Sequence, residues 1–157
     1  MIHVINFIYL MSLIVWLGSM IFFSFIAAPS IFKTLPRETA GDVVGDVFPK
    51  YWMTGYICGA LSIASYAYVS GAERSVDMLI IVLLSVMLVL MLFSGLVVGN
   101  NARIIKRKMR DTPDTELRER LRRDFIKVHT ASTLLNLVIM VLGVVVVMCT
   151  AVGRARF

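Results

Sequence analysis

Four stretches of this 157-residue chain contain no Asp, Glu, Lys or Arg: 1–32, 51–72, 78–102 and 128–153, which are 32, 22, 25 and 26 residues long. The 16 basic and 10 acidic residues all lie between or beyond them. A helix needs about 20 apolar residues to cross a hydrocarbon core, and each stretch is long enough. The chain is 59% hydrophobic and 17% charged, against roughly 45–50% and about 25% in an ordinary soluble domain. The expected fold is therefore all-α. It is a four-transmembrane-helix bundle and a single integral membrane domain over 1–157, with spans at about 4–32, 51–71, 78–101 and 126–152.

Several classes are excluded by the same pattern. The first stretch has no basic leading segment, and 32 uncharged residues exceed the 7–15 of a cleaved secretory signal. Cys58 and Cys149 are the two cysteines. At about 1.5 Å per residue they lie roughly 12 and 33 Å from one membrane face, so they neither pair nor share a metal. The net charge of +6 would suggest nucleic acid in a soluble protein, but here its placement describes a topology, and no nucleic-acid partner is expected.

With four spans, both termini share a side with the 73–77 connection. That side carries three cations, Arg74, Arg154 and Arg156. The other side, with the 33–50 and 103–127 connections, carries 13. Because basic loops stay cytoplasmic, the termini should be periplasmic and the two long loops cytoplasmic, in an inner (plasma) membrane. Such a basic face also attracts anionic lipid head groups.

Both long connections carry helical signals. After Pro36, the apolar residues Ala40, Val43, Val44, Val47 and Phe48 recur at helical spacing, and Arg37, Glu38, Asp42 and Asp46 take the other face. This predicts a short amphipathic helix between helices 1 and 2, closed by Pro49. Asp111-Thr112-Pro113 reads as a stop and restart. Leu117, Leu121, Phe125 and Val128 then run into the fourth span, which predicts a cytoplasmic extension of helices 3 and 4 as an antiparallel stalk. Glu116 with Arg120 and Glu119 with Arg123 are paired at helical spacing on it.

Packing in lipid depends on close backbone approach and interhelical hydrogen bonds. Gly55, Gly59 and Ser62, then Ser94, Gly95 and Gly99, then Gly18-Ser19, Ser24 and Ala28 mark candidate contact faces, within the bundle or in a homodimer. Trp16 is too deep for an interfacial belt and should pack, whereas Tyr51 and Trp52 should lie at the inner boundary. No carboxylate or ammonium falls inside a span. That argues against ion pumping, proton-coupled transport and acid–base hydrolysis at depth. His3 and His129 sit at opposite ends, more than about 25 Å apart in depth, so one subunit offers a haem at most one axial histidine. The polar residues that remain gather at one level. His129, Ser132, Thr133 and Asn136 share a face of the last span, Asn100, Asn101 and Arg103 end the third, and Lys50, Tyr51 and Thr54 open the second. Asn6 stands as a separate polar residue near the outer face.

The run Val15-Trp16-Leu17-Gly18-Ser19-Met20-Ile21-Phe22-Phe23-Ser24-Phe25, with Ala28-Pro29, Leu35-Pro36-Arg37, Ala40-Gly41, Val44-Gly45 and Phe48-Pro49-Lys50-Tyr51, resembles the transmembrane protein 205-like family, as does His129 to Asn136. The resemblance implies a four-span membrane bundle and no assigned reaction. In architecture the pattern is also similar to copper-resistance protein D and to the haem-binding membrane protoporphyrinogen oxidase of bacteria. The expected function is non-enzymatic: binding or passing a small solute or lipid head group at a polar cytoplasmic-side face. Its expected residues are Arg37, Tyr51, Asn100, Asn101, Arg103, His129 and Asn136. No cofactor is expected. The alternatives are a haem- or metal-binding oxidoreductase using one histidine, and an accessory subunit of a larger membrane complex.

Overall fold

Proline and glycine decide where the helices widen and stop. In the computed structural model, which describes residues 1–72 and 77–154, helix α1 runs Ile2–Thr34. It contains one widened turn, Phe23–Ala27, in which the Ala28 N–H reaches back to the Phe23 carbonyl. Pro29 follows. It has no N–H, and its ring crowds the carbonyl four residues back, so the helix takes up an extra residue rather than breaking. Leu35 is extended, with φ −111° and ψ 151°, because a following proline excludes the helical region. That ends α1. Helix α2 covers Arg37–Ala72, and the Asp77 carboxylate accepts from the Leu79 N–H at 2.9 Å to open α3, Met78–Asp111. A second widened turn, Ser94–Val98, is closed by the Gly99 N–H on the Ser94 carbonyl. Asp114 accepts from the Glu116 N–H at 2.9 Å and starts α4, Thr115–Arg154.

The described residues are all helix and connection, with no strand. Helices α1, α3 and α4 are long and apolar enough to cross a membrane. Their outward faces expose Phe7, Val89, Leu134, Met148 and many others, which water would not tolerate over so large a surface. This is a membrane-spanning protein. The four rods touch in a ring: α1 on α2, α2 on α3, α3 on α4, and α4 back on α1. Beyond Gly99, α3 continues beside the first turns of α4 as the antiparallel stalk, and Arg120 pairs with Glu116 on its surface at 3.6 Å.

Four sequence expectations need correction. Pro49 does not close a separate helix, since α2 passes through it without interruption. The carbonyl that loses its helical partner there is that of Gly45. The second expected span is uncharged, but it does not reach the apolar content of the other three. Its Gly55, Gly59, Ser62, Ser65 and Ser70 lower it, and all of these are buried. Tyr51 and Trp52 turn inward and are buried in the core. Gly18 is exposed, and a Cβ there would meet nothing within 4 Å, so it makes no contact face. Arg74 and Arg156 lie outside the described residues, as does the side chain of Arg154.

The core is built on indoles laid against glycines. Trp16, fully buried, lies on Gly55 and Gly59 of α2. Trp52 of α2 lies on Gly95 and Gly99 of α3. Gly143, flanked in sequence by Leu142 and Val144, receives Leu17 and Met87. Around them Leu84, Met91, Ile139 and Val146 complete the interior. Replacing Gly99 by Ala would drive a Cβ into the Trp52 ring. Overpacking of this kind costs about 1–3 kcal/mol. A thermal melt in detergent should show G99A clearly less stable than the parent, with G18A close to it.

Candidate functional site

A cavity of about 910 Å³ opens where α2, α3 and α4 leave the apolar core. Its floor is aromatic and apolar, with Phe48, Trp52, Val98 and Phe125, while Phe32 and Ile126 are exposed at its edge. Its rim is basic: Arg37 from α2, Arg103, Lys106 and Arg110 from α3, and Arg118 and Arg122 from α4. Glu38 and Asp42 are the acids among its lining residues. A concave, largely apolar site with a few converging polar groups is the usual form of a ligand pocket, and this volume lies at the upper end of the typical range.

Local sequence explains how each wall is made. On α3, positions 103, 106 and 110 are three and four apart and fall on one helix face. On α4, positions 118, 122, 125 and 129 do the same. Arg103 is held in place: its Nε donates to the Gly99 carbonyl at 3.4 Å, and its guanidinium lies 5.6 Å from the centre of the Trp52 ring. Phe48 stacks on the same indole with ring centres 5.2 Å apart. The Trp52 N–H is buried without a hydrogen-bond partner among the described residues. His129 stacks parallel to Phe125, with centres 6.2 Å apart. On α2, Gly41 and Gly45 present a flat surface to Lys106, whose Nζ would lie 3.9 and 3.6 Å from a Cβ at those positions.

One ion cluster crosses the cavity. The Asp42 carboxylate receives Lys106 Nζ at 2.6 Å and Arg110 at 3.1 Å. Lys106, by hydrogen bond and by charge, holds the Asp42 carboxyl below its ordinary value of 3.8, and Arg110 adds to the effect.

The seven residues expected from sequence divide into three groups. Arg37, Arg103 and His129 line the cavity. Tyr51 and Asn136 find each other instead: the phenol donates to Asn136 Oδ1 at 3.0 Å, across the ring from α2 to α4. Asn100 and Asn101 are exposed on α3 and are not part of the cavity lining. The face proposed for α4 also divides. Ser132 is buried, whereas Thr133 is exposed and donates to its own helix at the His129 carbonyl. The residues missed are Asp42, Lys106, Arg110, Arg118, Arg122 and the aromatic floor. The same-face spacings on α3 and α4 carried a signal for the basic ones. At the opposite end, Tyr9 and Thr150 are hydrogen-bonded at 2.8 Å. Thr150 donates its hydrogen to the Val146 carbonyl, so Tyr9 is the donor in that pair. Both cysteines are free thiols, and the described residues hold no group of three or more His, Cys, Asp or Glu side chains placed for a metal ion.

Because folding makes Asp42 more acidic, its contribution to stability is present above its ordinary value of 3.8 and is lost as pH falls through the lowered one. Unfolding midpoints in detergent, measured from neutral pH down to about pH 3, should therefore fall more steeply for the parent than for D42N.

The comparisons with known proteins assign no activity. An uncharacterised protein of Aquifex aeolicus (strain VF5) is 48% identical over 54 residues, which cover 34% of this chain and 39% of that protein. The matched segment is thus well under half the relative's length. No solved structure matches the chain. A family profile matches residues 11–111, well over half of the sequence. By that match the chain belongs to the DUF4149 family, a domain of unknown function.

Proposed function

We propose that this protein is a non-enzymatic, multi-pass membrane protein that binds a small anionic solute or lipid head group in the basic cavity between α2, α3 and α4. The observation that carries the reading is the composition of that one space: six cations on the rim, an aromatic floor, and only two acids. A negatively charged head with an apolar body fits such a lining, because each part meets its complement. The reading belongs with the likeness to the transmembrane protein 205-like family, which implies a bundle without an assigned reaction.

The proposed topology has four spans, with α2 as the second. Its buried side carries the glycines and serines, while Met53, Ile57 and Leu61 face outward at helical spacing. A helix that turns Gly55, Gly59, Ser62, Ser65 and Ser70 inward still offers lipid an apolar face. Its first part, Arg37 to Phe48, buries Ala40 and Val44 and leaves Arg37, Glu38 and Asp46 exposed, which suits an interfacial segment. The 13 cations of the 33–50 and 103–127 connections support a cavity mouth on the cytoplasmic side.

Two measurements test the proposal. In a C58S/C149S background, T115C should resist an impermeant maleimide added to intact cells and react in inverted vesicles. Labelling from outside would reject the topology. In nonionic detergent, a short-chain anionic phospholipid should raise the melting temperature, and its zwitterionic counterpart should not. R103Q should remove most of that rise. R120Q, which removes the same charge from the exposed stalk, should retain it. Equal stabilisation by both lipids would reject the site.

A further inference from the structure

Resting on the binding reading above, the position of Asp42 identifies which part of the cavity takes the charged head. We propose that Asp42 is a built-in competitor: its carboxylate occupies the place between Lys106 and Arg110 that a phosphate-bearing lipid head group takes on binding.

The charges at this point are unbalanced. One carboxylate serves two cations, Lys106 at 2.6 Å and Arg110 at 3.1 Å. It comes from α2, 68 positions away from Arg110 in sequence, so the contact ties α2 to α3 within the lining of the cavity. All three side chains are partly open to water, with Asp42 46% exposed and Arg110 67%. Exposed ion pairs are weak, because water and salt screen them and the side chains lose freedom in forming them. Exchanging this carboxylate for another anion is therefore cheap. A phosphate monoester carries about −1.5 to −2 charges and three acceptor oxygens, whereas a carboxylate carries one charge. Lys106 is already pre-placed over the smooth face at Gly41 and Gly45, so it need not reorganise. Asp42, released, turns to solvent.

The apolar floor decides the class of molecule. Phe48, Trp52 and Phe125 lie next to the same basic rim, and an inorganic anion would gain nothing from them. An acyl-bearing phosphate gains both charge pairing and apolar burial. The assignment is thus a lipid with a phosphate head, rather than free phosphate.

The test uses the full chain in nonionic detergent at fixed low salt, titrated with dihexanoyl phosphatidic acid and, separately, with inorganic phosphate. Removing the competitor in D42N should tighten binding of the lipid about two- to fivefold, the ratio that matches an exposed ion pair. D42S should behave alike and guards against a folding defect in either variant. K106Q should weaken binding. Wild-type binding of the lipid with unchanged or weaker binding by both Asp42 variants overturns the competitor role and leaves the cavity reading standing. No lipid binding by either wild type or the Asp42 variants overturns the cavity reading and this inference with it. Inorganic phosphate binding as tightly as the lipid overturns the lipid assignment.

Discussion

Helices surrounded by hydrocarbon gain nothing from hiding their apolar side chains from one another, since the lipid is as apolar as they are. What holds them is the closeness of approach. In this protein closeness is supplied by flat indole rings on backbone that lacks side chains: Trp16 across Gly55 and Gly59, and Trp52 across Gly95 and Gly99. Large contact areas form there with little loss of conformational freedom, because an indole has only two rotatable bonds and glycine has none. The fit is tight enough to seal polar atoms inside. The N–H groups of both tryptophans and the hydroxyls of Ser62 and Ser94 are buried without a hydrogen-bond partner among the described residues. In water each would cost about 1–3 kcal/mol. In a bilayer the separated helices offer those groups no water either, so the penalty of sealing them on assembly is smaller.

The cavity inherits its shape from this packing. Trp52 is at once the plate pressed on α3 and part of the cavity lining, with Arg103 over its face and Phe48 stacked on it. The widened turn at Ser94–Val98 falls between the apolar part of α3 and its basic end, and it resets the direction in which 103, 106 and 110 project. The rim cations are therefore carried by rods whose spacing is fixed several turns away, and not by loops.

Much of the fold is legible in the residues. Charge-free stretches mark the rods, Asp111-Thr112-Pro113 marks the break before α4, and the glycine pairs at 55/59 and 95/99 mark real contact faces. Other features depend on distance and partner, which sequence does not state. Pro49 carries the same signal as a terminating proline, yet α2 continues through it, with Ala40 and Val44 buried before it and Tyr51 and Trp52 after it. Tyr51 looked interfacial because its ring suits that level, yet its hydroxyl had a partner 85 positions away in Asn136. Two of the polar candidates, read separately, are satisfied by one another. Lys106 and Arg110 were hidden by abundance, since the 103–127 connection is basic throughout, and what singles them out is Asp42 on another helix. The aromatic floor was invisible for the opposite reason: any Phe or Trp near a span reads as filling.

The composition of α2 bears on how the protein is made. A segment whose glycines, serines and tyrosines dilute its apolar residues partitions weakly from the insertion machinery into lipid on its own. Helix α1, synthesised just before it, packs along it and covers that polar side with Trp16. On the four-span topology proposed above, the two would suit leaving the translocation channel as a pair, with the first helix shielding the second. Residues 16, 55 and 59 would then be constrained twice, once by the finished architecture and once by biogenesis.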